Sequence, residues 1–316
     1  MLGDMVKLAA TPRRSLAGLA AAAVTLLASQ SVEAAEPKVP AGKDPGGIAI
    51  ALIGGGVDYT SEKIAARLAR DGEGELIGWD VVDDDRKPFA APTAANPSPT
   101  EASAAGGIDA TATADALLSA YAKARLVPVR APSGDPQALA KAIAFAAGTP
   151  ARIVAIAVPV ETDLMRTVVR QASERFKNQL FIIAGAKPSL PGNSAVPPEN
   201  AGRPSPPSVM NLPNVLVVLA AVDVEGRSAK DVVAAAEMVV MARGGSMFGA
   251  MPGAPPRNAG EAVALAAASA ACQSHGITEL LGSAAKAAAI DASRPLDDNR
   301  AIRVLDPMCW YGGKRM

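Results

Sequence analysis

The chain has one histidine, two cysteines and few aromatic residues: two Trp, three Tyr and five Phe in 316 positions. One His and two Cys are too few for a closed four-ligand zinc site unless carboxylates join them. Any imidazole-dependent chemistry rests on His275 or does not occur. Aromatics at 3% leave no platform on which nucleic-acid bases would stack. Lys plus Arg and Asp plus Glu both number 31, so the formal net charge is zero. That balance argues against a nucleic-acid partner, since such binding works by neutralising phosphates. Apolar residues are abundant at 49%, which supports a sizeable core and rules out wholesale disorder. At roughly 100–200 residues per domain, the length implies one large domain or two small ones.

The N-terminus reads as an export signal. Lys7, Arg13 and Arg14 form a basic region, Leu16 to Ala28 an apolar one, and Val32-Glu33-Ala34 offers small residues at cleavage spacing. Arg13-Arg14 followed by Ser15-Leu16 partly fits a twin-arginine signal. The apolar region is short of the ~20 residues that span a bilayer, and no later apolar run reaches that length. The expectation is a periplasmic or secreted protein, soluble once residues 1–34 are removed.

After a Pro- and Gly-rich linker (35–47), strands and helices alternate. Strands are expected at Ile48–Ile53, Glu75–Val82, Leu126–Val129, Ile153–Val158, Leu180–Ala184 and Val215–Val222. Helical spacing covers Ser61–Arg70, Ala112–Ala124, Pro136–Ala147, Asp163–Phe176, Ala259–Ser274 and Ile277–Ala289. Strands apolar on both faces and separated by helices predict an α/β fold, a mostly parallel sheet covered on both sides. Ala90–Gly107 and Lys187–Pro213 are rich in Pro, Ala, Ser and Gly and read as loops.

The first strand runs into Gly54-Gly55-Gly56, which invites a dinucleotide-binding reading with Asp80 as the ribose acid. Tyr59 stands where the third glycine of that fingerprint belongs and would block close approach of helix and strand.

A second pattern is longer. Gly54-Gly55-Gly56-Val57-Asp58-Tyr59, Gly78-Trp79-Asp80-Val81-Val82-Asp83, Leu126-Val127-Pro128-Val129, and Ala138 to Ala147 with Ala151 to Val158 follow one another. Leu212-Pro213-Asn214-Val215, Asp223-Val224-Glu225-Gly226-Arg227 and Val239-Val240-Met241-Ala242 complete the series. In this order, from about Ile48 to Asp306, they resemble the segments of subtilisin-like serine peptidases (subtilases). The resemblance implies a three-layer subtilisin-like domain over 48–306, with 307–316 as a C-terminal tail. It also implies no cofactor.

The departures from the family pattern fall on the chemistry. The catalytic Asp position is Gly54, the His position Asp109, the Ser position Arg257 and the oxyanion Asn position Ala186. Acyl transfer needs a nucleophile, a base, a group that orients the base, and oxyanion donors. Glycine orients nothing, arginine stays cationic, and alanine donates nothing from its side chain. The substrate-pairing segment becomes Ala157-Val158-Pro159, and Pro159 has no N–H. Gly54 is expected to leave space into which Arg257 folds to meet Asp109, with Glu261 one helical turn along. His275 reads as a helix C-terminal residue, favourably placed on the dipole. Asp83, Asp84 and Asp85 admit a Ca²⁺ site or a solvated loop neutralised by Arg86 and Lys87. Cys272 and Cys309 admit a disulfide in an oxidising compartment, and Cys272 equally fits a buried helix position.

The sequence therefore implies an exported subtilase-like pseudopeptidase with a protein- or peptide-binding role. An active serine endopeptidase and a small-ligand or nucleotide site at the Gly-rich turn are the alternatives. Mass spectrometry of native protein is expected to find a mature chain beginning close to Ala35. A mature pool that keeps Met1 would refute export.

Overall fold

The computed structural model describes residues 36–90, 110–185, 209, 211–220, 236–240, 258–274, 282–295, 303–305, 310–311 and 314–315. The signal segment 1–34 and most of both expected loops lie outside them, as do the helix start 277–281 and the strand end Ala221-Val222.

The strands are β1 (Ile48–Gly54), β2 (Trp79–Asp80), β3 (Ala124–Arg130), β4 (Ile153–Ile156), β5 (Leu180–Ala184), β6 (Val215–Ala220) and β7 (Met238–Val240). Short strands follow: β8 (Arg294–Pro295), β9 (Arg303–Leu305), β10 (Trp310–Tyr311) and β11 (Lys314–Arg315). The helices are α1 (Glu62–Ala65), α2 (Ala110–Ala120), α3 (Pro136–Ala147), α4 (Asp163–Arg175), α5 (Ala259–Gln273) and α6 (Gly282–Asp291). The main sheet has the order β2-β3-β1-β4-β5-β6-β7-β9-β8. Its first seven strands are all parallel, as the two-sided apolar runs predict.

The two faces of β1 illustrate the layering. Ile50 and Leu52 join a core with residues of α1, α2, α5 and α6. Ala49, Ala51 and Ile53 join a second core with residues of α3 and α4. This is the period-two alternation of a strand with helices on both sides. Helix α5 is buried almost all round, and its alanines at 262, 264, 266–268, 270 and 271 have no exposed surface. Small side chains let it lie between α2, α6 and the sheet at once.

Two expected elements are shorter than their patterns. The Ser61–Arg70 helix stops after one turn because the following backbone pairs with the outer edge of β3. Ala69 N–H donates to Leu126 O, and Leu126 N–H donates to Arg67 O. That edge is thus already occupied near its start, and the Glu75–Val82 strand keeps only Trp79–Asp80, opposite Val129 and Arg130. Pro128 sits between these two pairings. Leu126 N–H points to that outer edge and Ala131 N–H points to Gly54 O on the other side. By alternation the missing N–H of Pro128 falls on the outer edge, where no ladder bond is lost.

Residues 37–47, expected as a linker, lie against the domain. Asp44 accepts hydrogen bonds from the N–H groups of Arg70 (2.9 Å) and Gly46 (2.7 Å) and pairs with Arg125. Partial burial pushes the Asp44 carboxyl upward. The two backbone N–H groups, the Arg125 hydrogen bond and its charge outweigh burial and hold it below the ordinary carboxylate value. Its contribution to stability is therefore fully present above the unfolded carboxyl value of about 3.9. It is lost as pH falls through the lower folded value. Urea titrations should find Asp44→Asn less stable than wild type at neutral pH, with the gap closing below about pH 4. A pH-independent gap would show that the Asp44 charge contributes nothing.

Candidate functional site

In an open parallel sheet, ligands bind outside the carboxyl ends of the strands, where the strand order reverses. Here β1 lies between β3 on one side and β4 on the other, so the place for a ligand by this rule is the end of β1. That end is Gly54. Gly54 pairs in register with Arg130 at the end of β3. Its other neighbour is the segment after β4, where Ala157 N–H donates to Ile53 O at 2.8 Å. Ala157 and Val158 are buried and Pro159 half-buried. The structure thus brings together two predicted site regions, Gly54 and the former substrate strand.

Asp109, Ala186 and Arg257 lie outside the described residues, as do His275 and Cys309. Their chain neighbours are described. Ala110 opens α2 and Gly185 follows β5, its N–H bonded to Val218 O at 2.7 Å. Asn258 caps α5 by accepting from Glu261 N–H at 2.9 Å. Helix α5 packs on α2, β1, β4 and β5. Cys272, near the end of α5, is buried.

The space expected beside Gly54 is already filled. A Cβ at Gly54 would stand 2.8 Å from the Ala110 Cβ and 3.9 Å from the Ala157 Cβ. The first residue of α2 has come down onto the bare Cα, so the vacated volume belongs to Ala110. Nothing in the sequence marks this contact except two small residues at element ends.

Beside Gly54, charge is concentrated in a cluster that the motif reading missed. Asp80, at the end of β2, has no exposed surface. Its carboxylate accepts from the N–H groups of Val82 (2.7 Å) and Asp83 (3.1 Å) and from Arg130 Nη1 (2.8 Å). Arg130 also reaches Asp83 at 2.7 Å. Burial disfavours the Arg130 charge, but the hydrogen bonds and charges of Asp80 and Asp83 win and raise its pKa further. The carboxylate that the nucleotide reading assigned to a ribose is thus engaged by three internal donors. The Asp83–Asp85 run is likewise divided. Asp83 faces Arg130, Asp84 takes a left-handed backbone (φ 57°), and Asp85 bonds the N–H of Lys87 at 2.7 Å with its ammonium 3.7 Å away.

Tyr59, the residue that breaks the dinucleotide fingerprint, is fully buried. Its ring lies 5.1 Å from that of Phe89. Gly56 (φ +94°) is required just before it, because a Cβ there would stand 2.9 Å from Phe89 O.

No family model and no curated protein sequence matches the chain. Solved structures match it in shape. A cold-adapted subtilisin-like serine proteinase superposes with a TM-score of 0.50 at 14% identity, over 85% of this chain and 92% of that one. The fold is subtilisin-like. MycP1 with its N-terminal propeptide removed gives a TM-score of 0.47 at 17% identity, over 83% of this chain and 89% of that one. The periplasmic assembly of an ESX-5 inner membrane complex gives 0.41 at 15%, over 83% of this chain and 78% of that one. Among the described residues no helix is long and apolar enough to cross a membrane.

The contact at Gly54 predicts the effect of adding a side chain there. Gly54→Asp should destabilise the protein by about 1–3 kcal/mol through overpacking against Ala110, measured by urea denaturation. A variant as stable as wild type would mean that α2 yields freely.

Proposed function

We propose that this chain is an exported pseudopeptidase: a subtilisin-like domain that binds a protein or peptide and hydrolyses none. One observation carries the reading. The end of β1, where the peptidases hold the carboxylate that orients their base, is a glycine whose side-chain space is filled by Ala110. A base without its orienting carboxylate loses both tautomer control and stabilisation of its charged form.

The substitutions read from the sequence point the same way. At the nucleophile position Arg257 is permanently charged and cannot attack a carbonyl. At the oxyanion position Ala186 lacks the side-chain donor whose loss alone costs about 100–1,000-fold in rate. At the position of the base, Asp109 lacks the near-neutral pKa of an imidazole. What the domain retains is a large, well-packed scaffold whose strand ends are the usual place for recognition in such sheets. The basic and apolar order of residues 7–34 supports export to the periplasm or beyond. The partner is a protein or peptide rather than a nucleotide, because Asp80 is consumed internally.

Purified protein incubated with casein and with a fluorophosphonate probe should release no peptides and take up no label. Arg257→Ser should not restore either activity, since the orienting carboxylate and the oxyanion donor remain absent. Labelling of a serine that disappears on heat denaturation would make the chain an active serine endopeptidase.

A further inference from the structure

The segment 37–47 is held at three places along its length. Tyr59 Oη donates to Pro37 O at 2.8 Å. Arg70, itself buried, donates to Pro40 O at 2.6 Å and to Gly74 O at 2.9 Å. Asp44 takes the Arg70 N–H and pairs with Arg125. Between the anchors, Val39 packs on the core. Gly42 lies so close that a Cβ there would stand 3.0 Å from Arg70 Nε.

The first anchor reaches into the candidate site. Tyr59 belongs to the loop that leaves Gly54, and its neighbour Asp58 donates its N–H to Thr111 Oγ1 at 2.9 Å. Thr111 lies in the first turn of α2, next to the Ala110 that covers Gly54. A continuous run of contacts thus links Pro37, Tyr59, Asp58, Thr111, Ala110 and Gly54. We propose that residues 37–47 are a clasp that holds the Gly54 loop and the first turn of α2 in place at the strand ends. The clasp bears on function through the reading of those strand ends as the binding site.

Its release has a chemical handle. Lys43 is exposed and directly precedes Asp44, so a trypsin-like protease that cuts after Lys43 separates the Pro37 and Pro40 anchors from the Asp44 anchor. Trimming would free Tyr59 and Arg70 from the clasp while Asp44 stays bound to Arg125, and the Gly54 loop and the start of α2 would loosen without loss of the sheet.

Amide hydrogen exchange of the full-length mature protein tests this directly. Tyr59→Phe removes one anchor hydrogen bond, worth about fivefold in a local opening equilibrium. Exchange should rise by about that factor in residues 55–60 and in α2, with α4 and β5 unchanged. Protein trimmed after Lys43 should show the same pattern. If Tyr59→Phe does not fold, the trimmed protein, which lacks the Pro37 anchor, carries the test by itself. Faster exchange confined to residues 37–47, or no change at 55–60 and α2, would overturn the clasp. No ligand enters the measurement, so its failure leaves the pseudopeptidase reading intact, and serine labelling would leave the clasp intact.

Discussion

The close approach of Ala110 to Gly54 is the constraint on which the site depends. A helix N-terminus can settle on a strand end only where one partner lacks a Cβ and the other has nothing beyond one. Once it settles, α2 lies flush on α5 and on the sheet, and α5 can be built of alanines with no exposed surface. The same contact removes the room for a carboxylate at the end of β1. Core packing and the shape of the strand end are therefore one feature, set by the same residue.

Charge is arranged around that apolar contact. Half-buried Arg130, in register with Gly54, pairs with buried Asp80, which also accepts from two backbone N–H groups. Such a pair adds little net stability over an apolar replacement, because desolvation offsets attraction, yet stranding either partner is costly. Its effect here is positional, since it ties β2 to β3 at their carboxyl ends. At the other end of the sheet order, Lys286 and Glu237 form a second nearly buried pair. Lys286 also bonds Leu212 O at 2.8 Å, and Glu237 takes the N–H groups of Asn211 and Val217.

The parallel sheet and its helices were legible because apolar runs and helical spacing leave a periodic trace. Pro136–Ala147 and Leu180–Ala184 match the periodicity residue for residue. What periodicity could not convey was competition for an edge. The pattern from Ser61 to Arg70 is helical, but its backbone is drawn into pairing with Leu126, and the next strand shrinks in turn. The candidate site was legible only as departures from a family pattern. Gly54 reads in sequence as an absence, and only the fold shows that Ala110 fills it. Asp80 reads as a ligand-binding acid, and only the fold supplies Arg130, fifty residues on, as its partner. Contacts between residues so far apart leave no local trace.

A double-mutant cycle between Gly54→Ala and Ala110→Gly tests the central contact most directly. The account predicts that Gly54→Ala is strongly destabilising alone and much less so when Ala110 is already glycine, with a coupling of about 1 kcal/mol or more. Strict additivity of the two substitutions would contradict it, because the two residues would then not share the space that closes the site.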